Sequence, residues 1–184
     1  MSLQLKEVLF HGTISEITQV DVNAGRDHKD FGRGFYMATD KMQAVGMMHK
    51  KYKEAVSRAR NKEHADAVRE ILYEVRLDTT RLSTLKVKEF YTADMEWLEF
   101  VLACREKGGV PHDYDLIIGP TADDDTLLCL KSYWDGLYGK VGSEDAKRIL
   151  LRNLEPDNLG IQYYIGKQDV ADAVIVSIKE VERG

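Results

Sequence analysis

The chain has 184 residues, 43% of them hydrophobic, and a formal net charge of −5. That length and apolar content suit one domain, 1–184, with a real core, and exclude a disordered chain. No apolar run nears the roughly 20 residues that a bilayer span needs, and the acidic balance excludes a nucleic-acid footprint over the whole surface.

The first residues, Met1-Ser2-Leu3-Gln4-Leu5-Lys6, lack a basic region leading into a long apolar stretch. No secretory leader is therefore expected, and a cytoplasmic location is. Val8-Leu9-Phe10-His11 reads as a short strand that opens into a loop at Gly12. Residues 14–33 have little periodicity and read as a long loop, a feature often tied to function. Gly34-Phe35-Tyr36-Met37-Ala38-Thr39 reads as a second strand, with Thr39 or Asp40 as the cap of the next helix. Met42, Val45, Met48, Tyr52, Ala55 and Val56 form a helical stripe to about Arg60, and its methionines read as core. Lys50, Lys51, Lys53, Arg58, Arg60 and Lys62 crowd this stretch. The simpler reading is a solvated helix face, and a local nucleic-acid contact stays open.

Ile71 to Leu77 alternates as a strand. Residues 93–105 form a helix, capped by Thr92 or Asp94 and stopped by Gly108-Gly109. Residues 114–120 read as a buried strand ended by Gly-Pro. Helices follow over 126–137 and 143–154, the second capped by Ser143. A strand over 161–165, a helical turn over 167–171 and a strand over 173–178 complete the chain. Helices and strands mix without regular βαβ alternation, so the class is α+β. Cys104 and Cys129 lie far apart in apolar surroundings and read as core residues rather than disulfide partners.

Two segments carry candidate chemistry. At His11-Gly12-Thr13 the glycine permits close backbone approach, the histidine offers a ring nitrogen and the threonine a hydroxyl. Taken alone, the triplet reads more simply as a structural histidine at a turn. In Asp30-Phe31-Gly32-Arg33-Gly34-Phe35-Tyr36-Met37-Ala38-Thr39-Asp40, two glycines flank an arginine and two aromatics follow. This fits neither the dinucleotide G-x-G-x-x-G fingerprint nor a P-loop. Its aromatics suit stacking on a flat ring, or the core side of a hairpin.

Together, H-G-T and G-x-G-F-Y-x-x-T resemble the first two motifs of the ADP-ribosyltransferase superfamily, of the diphtheria-toxin and poly-ADP-ribose-polymerase type. The chain is more similar still to a bacterial family of domains related to that superfamily. Residues 30–40, Glu96-Trp97-Leu98-Glu99-Phe100-Val101, Asp115 to Pro120 and Ala122-Asp123-Asp124 carry this likeness. It runs from about Val8 to about Leu130 and weakly on to the Gln162 strand. The resemblance implies two small packed β-sheets with flanking helices and a nicotinamide cleft between them. It implies NAD as substrate and a macromolecular acceptor, protein or nucleic acid. Bacterial domains of this type are often toxins or defence factors. It carries His11 over as a ribose contact, Gly12 as the backbone that holds the carboxamide, and Tyr36 as the ring that stacks on nicotinamide. Thr13, Arg33, Gly34 and Phe35 complete the implied cofactor-binding set, with Arg33 at the phosphates.

Cleaving the nicotinamide–ribose bond develops an oxocarbenium-like sugar that needs electrostatic stabilisation. The superfamily places a carboxylate there, on a late strand. This sequence offers Gln162, which hydrogen-bonds but carries no charge. Glu96 and Glu99 share a helix face and are the rival carboxylates, and Glu99 is the second candidate to face the ribose. Without turnover, the same pocket would make a binding module for NAD or ADP-ribose; with water as acceptor, an NAD glycohydrolase. Asp123-Asp124-Asp125 reads as helix-dipole compensation rather than a metal site. His28, His49, His64 and His112 lack metal-ligand spacing and read as surface or structural residues; no metal is expected.

Overall fold

The alternating and β-rich segments form β1 (Val8–Thr13), β2 (Phe35–Ala38), β3 (Ile71–Leu77), β4 (Val87–Glu89), β5 (Leu116–Pro120), β6 (Ile161–Ile165) and β7 (Ile175–Glu180). The helices are α1 (Lys41–Arg58), α2 (Lys62–Asp66), α3 (Thr79–Leu82), α4 (Met95–Lys107), α5 (Asp124–Trp134), α6 (Glu144–Asn153) and α7 (Gln168–Val174). The computed structural model describes residues 5–122, 124–154 and 159–183, and of residues 124–127 the backbone alone. The expectations placed on Met1-Ser2-Leu3-Gln4 and on Asp123 lie outside the described residues.

The α+β class holds. The strands make one mixed sheet in the order β4-β5-β6-β2-β1-β3-β7. All neighbours are antiparallel except β4 and β5. The expected pair of packed sheets is instead this one sheet, because β1 and β2 stay joined. Among the described residues the joint is one registered pair, Phe10 with Ala38. By contrast, β1 pairs with β3 at every residue from Val8 to Thr13. Two well-paired halves therefore meet at a narrow seam.

Side-chain alternation sorts the core by face. Leu9, Phe35, Met37, Val75, Ile118 and Tyr163 bury one face, where α7 adds Val170, Ala171 and Val174. On the other face, Leu72 and Ala38 pack against Ala44, Val45 and Met48 of α1. Further along it, Ile117 and Tyr164 pack with Phe31, Phe90, Trp97, Leu98, Val101, Leu130 and Leu150. Met42 is the departure from the expected stripe: it lies at the start of α1, off the contact with β1, and is 66% exposed.

The caps resolve the open choices. Asp40 accepts from the Gln43 N–H, Asp94 from Trp97 and Ser143 from Ala146. Gly108 ends α4 at a φ of 68°, which only glycine adopts freely. Cys104 and Cys129 are both free thiols; Cys104 is buried and Cys129 half-buried. No helix among the described residues is long and apolar enough to cross a membrane.

Candidate functional site

The seam between β1 and β2 defines the site. Were the Phe10–Ala38 register to continue, Gly12 would face Tyr36. Instead the strands part there, and two side chains take the places of ladder bonds. His11 Nδ1 donates to the Tyr36 carbonyl at 2.6 Å. Lys51 Nζ, from α1, donates to the Gly12 carbonyl at 2.7 Å. Each carbonyl oxygen keeps a second lone pair. The result is a break in the ladder, called the slot below, edged by backbone polar groups, with His11-Gly12 on one side and Tyr36 on the other.

A carbonyl only accepts, so Nδ1 of His11 carries the proton and Nε2 is left as an acceptor. Nε2 has no partner among the described residues. The ring stacks on Phe35, centroids 4.6 Å apart, and keeps part of its surface open. Burial drives its pKa down to about 3, the Lys51 charge adds to the fall, and the bond to the Tyr36 carbonyl opposes it. His11 is therefore neutral at physiological pH.

Tyr36 lies on the opposite face of β2 from Phe35 and so from the His11 ring. Its hydroxyl donates to the Gly32 carbonyl at 2.6 Å and accepts from the Phe31 N–H at 3.0 Å. The ring leans on Tyr164, centroids 4.9 Å apart, and remains half-buried. Desolvation holds the phenol well above its ordinary pKa, with the Asp30 charge adding to the rise. His11 and Tyr36 thus meet through a backbone carbonyl, not ring to ring.

The glycines answer to packing. A Cβ on Gly12 would fall 2.0 Å from the Ala44 carbonyl oxygen of α1. One on Gly34 would fall 2.4 Å from the Tyr164 ring. Thr13 is buried, and its hydroxyl accepts from the Ser15 N–H. Arg33 is partly exposed, with Asp27 3.8 Å away.

Gln162 and Glu99 depart from expectation. Gln162 is only 7% exposed, and its Nε2 donates to Asp30 Oδ2 at 2.9 Å. The same oxygen accepts from the Ala122 N–H at 2.9 Å, while Oδ1 takes the Arg105 guanidinium, its Nε at 3.1 Å. Gln162 shares a sheet face with Tyr36 but serves a buried network rather than an open sugar site. Glu99 points to solvent and pairs with Lys147 of α6 at 2.7 Å. Glu96 likewise pairs with Lys88. Both carboxylates lie on the outer side of α4 because Trp97, Leu98 and Val101 take its inner side.

The sequence reading gave Asp30 and Arg105 no role and left Lys51 in a basic run, although a signal existed for the two cations. Arg105 follows Leu98 and Val101, and Lys51 follows Ala44 and Met48, at helical spacing. Each puts a charge on a core-facing stripe, where it must find a partner. His28 and His112 are structural, as expected. His28 Nδ1 donates to the Arg105 carbonyl at 2.6 Å, and His112 Nε2 to the Phe31 carbonyl at 2.8 Å. With the Arg33 N–H on the Gly109 carbonyl at 2.6 Å, they clamp residues 28–33 onto the α4–β5 connection. Two surface hollows lie elsewhere, one lined by Glu70, Glu180, Glu182 and Arg183, the other by Asp21, Asn23, Gln168 and Asp172. No group of three or more potential metal ligands occurs among the described residues.

Residues 8–175 match the family described as "Protein of unknown function (DUF3990)", and the chain belongs to that family. No curated protein and no solved structure matches the chain.

Proposed function

We propose that this chain is an NAD-dependent ADP-ribosyltransferase, with the β1–β2 slot as its nicotinamide site. The observation that carries the reading is the parting of β1 from β2 at Gly12 and Tyr36, with a neutral His11 beside it. A carboxamide both donates and accepts, and an interrupted strand edge offers it both kinds of partner. The free Nε2 of His11 suits a ribose hydroxyl. Tyr36, fixed by its hydroxyl, forms a rigid aromatic wall for a flat ring. The motif order H-G-T then G-x-G-F-Y supports the same assignment by resemblance.

In the reaction the C–N bond between ribose and nicotinamide breaks. Its electron pair goes to the ring nitrogen, releasing neutral nicotinamide and leaving positive charge on the sugar. An acceptor nucleophile forms the new bond at that carbon and gives up its proton. His11 orients the sugar, and the Gly12 edge holds the leaving ring in place. A macromolecular acceptor and a role as toxin or defence factor belong to this reading.

One observation favours a second reading. Gln162 is uncharged and committed to Asp30, and Glu99 faces away. A slot without a carboxylate at the sugar suits a module that binds NAD or ADP-ribose without turnover. One assay separates the readings: the protein is incubated with NAD, alone and with cell lysate, and nicotinamide release and label transfer are followed. The transferase gives transfer with lysate, and a glycohydrolase gives release without it. Neither product, with NAD still bound, replaces the transferase by the binding module.

A further inference from the structure

The seam between β1 and β2 stays parted although its backbone is aimed to close. The Thr39 N–H goes to the Ile161 carbonyl of β6. By antiparallel alternation Phe35 and Met37 then bond β6, while Tyr36 and Ala38 turn their backbone groups towards β1. On the other side, the N–H of Val181, just after β7, goes to the Leu72 carbonyl of β3. Gly12 lies opposite Leu72, so it turns its own carbonyl away from β3 and towards β2. Gly12 and Tyr36 thus face one another as the ladder pair that should follow Phe10 and Ala38. Among the described residues that pair is not formed. Lys51 stands where it would close. Ala44, Met48 and Lys51 recur at helical spacing on α1, and Gly12 lies directly beneath the first two. A Cβ on it would fall 2.0 Å from the Ala44 oxygen and 2.8 Å from the Met48 Cβ. That close approach lets Lys51 Nζ reach the Gly12 carbonyl at 2.7 Å, its one bond among the described residues. The oxygen that the Tyr36 N–H would take already has a charged donor.

We propose that Lys51 is a positioning residue that props the slot open, by occupying the Gly12 carbonyl through which β1 would otherwise zip to β2. Its consequence for ligand binding rests on the nicotinamide reading above; the prop itself is a property of the fold. The fold holds this ammonium at a cost. Burial pushes Lys51 down to about 8, and the charges of Lys29 and Arg26, from the loop before β2, add to the fall. His11 of β1 is the other titratable group that faces it, and it is neutral. An uncharged side chain of similar length would avoid that cost, so packing alone does not account for a lysine here. Nor does the need to satisfy the Gly12 carbonyl, since a ladder bond from Tyr36 would do so. What the lysine supplies, and the ladder cannot, is a parted seam.

Amide hydrogen exchange followed by NMR on the full chain, with the melting shift caused by NAD, tests this in Lys51→Met, Lys51→Gln and Lys51→Arg. Met keeps the aliphatic stem and removes the charge. Gln removes the reach as well, and Arg restores a charged donor. In the Met and Gln variants the Tyr36 N–H takes the Gly12 carbonyl. Exchange at Tyr36 is then expected to slow about fivefold, the melting temperature without ligand not to fall, and the NAD shift to be lost. Arg is expected to return both exchange and the NAD shift to the wild-type values. A lysine that only supports the fold predicts the reverse: Met and Gln lower the melting temperature and speed the exchange. Tyr36 exchange that is unchanged or faster in Met and Gln overturns the prop, and so does failure of both variants to fold. Slowed exchange, with an NAD shift that is absent from the wild type or kept in the Met variant, supports the prop and removes the nicotinamide reading instead.

Discussion

His11 is held neutral by its surroundings, and that has a consequence for stability. An unfolded histidine protonates near 6.5 and the folded His11 near 3, so between those values the unfolded chain binds the extra proton. Stability falls as pH drops through that window, by at most about 1.4 kcal/mol per pH unit from this residue. In urea unfolding, the advantage of wild type over His11→Gln should shrink between pH 7 and pH 5. An advantage equal at both pH values would show that the ring is not held neutral. Gly12 makes a separate prediction. Its missing Cβ is what lets the Ala44 carbonyl approach, so Gly12→Ala must push α1 off β1. The expected loss is about 1–3 kcal/mol in chemical unfolding. A variant as stable as wild type would free Gly12 from its packing role.

At the scale of elements, the loop before β2 is anchored by a buried ion pair. Asp30→Ala would leave Arg105 charged, buried and unpaired, at a cost of roughly 3–5 kcal/mol, read as a lower unfolding midpoint. Gln162→Glu tests whether β6 lacks only a carboxylate. A glutamate there loses the bond to Asp30 and sets two carboxylates together, which raises the pKa of one. The expected result is a loss of roughly 1–3 kcal/mol at pH 7, partly regained at pH 5, with no gain in nicotinamide release. A rise in release would return Gln162 to the ribose. The strong elements were legible because their periodicity is tied to burial: β3 and β6 match their expected spans, and the α4 stripe and its glycine stop were clear. β4 was not legible. Val87-Lys88-Glu89 is a three-residue edge strand with charges on two of its positions, so it has neither the length nor the alternation that marks a strand. The helix turn at α3 has only four residues and one buried position, Leu82, too few for a helical stripe to show.

At the scale of the molecule, the fold divides its labour at the seam. One face of the sheet carries Phe35 and the His11 ring, the other carries α1, Tyr36 and the Asp30–Arg105–Gln162 network. The motif segments were visible in the sequence, since glycines and aromatics in that order stand out. Their faces were not, because only strand register says which way a side chain points. That is why Gln162 read as a sugar contact and proved to be a buttress. It is also why Lys51 read as one lysine of a solvated run and proved to hold the Gly12 carbonyl.

A slot between Gly12 and Tyr36 that takes nicotinamide dinucleotide, as proposed above, ties the ligand's affinity to both strands. The most direct measurement is the shift in melting temperature caused by NAD in the wild type, His11→Ala and Tyr36→Ala. A ligand that binds only the folded state at 100 times its Kd adds about 2.7 kcal/mol of stability. A clear upward shift is expected in the wild type, and both substitutions are expected to abolish it. No shift in the wild type, or an equal shift in the folded variants, would contradict it.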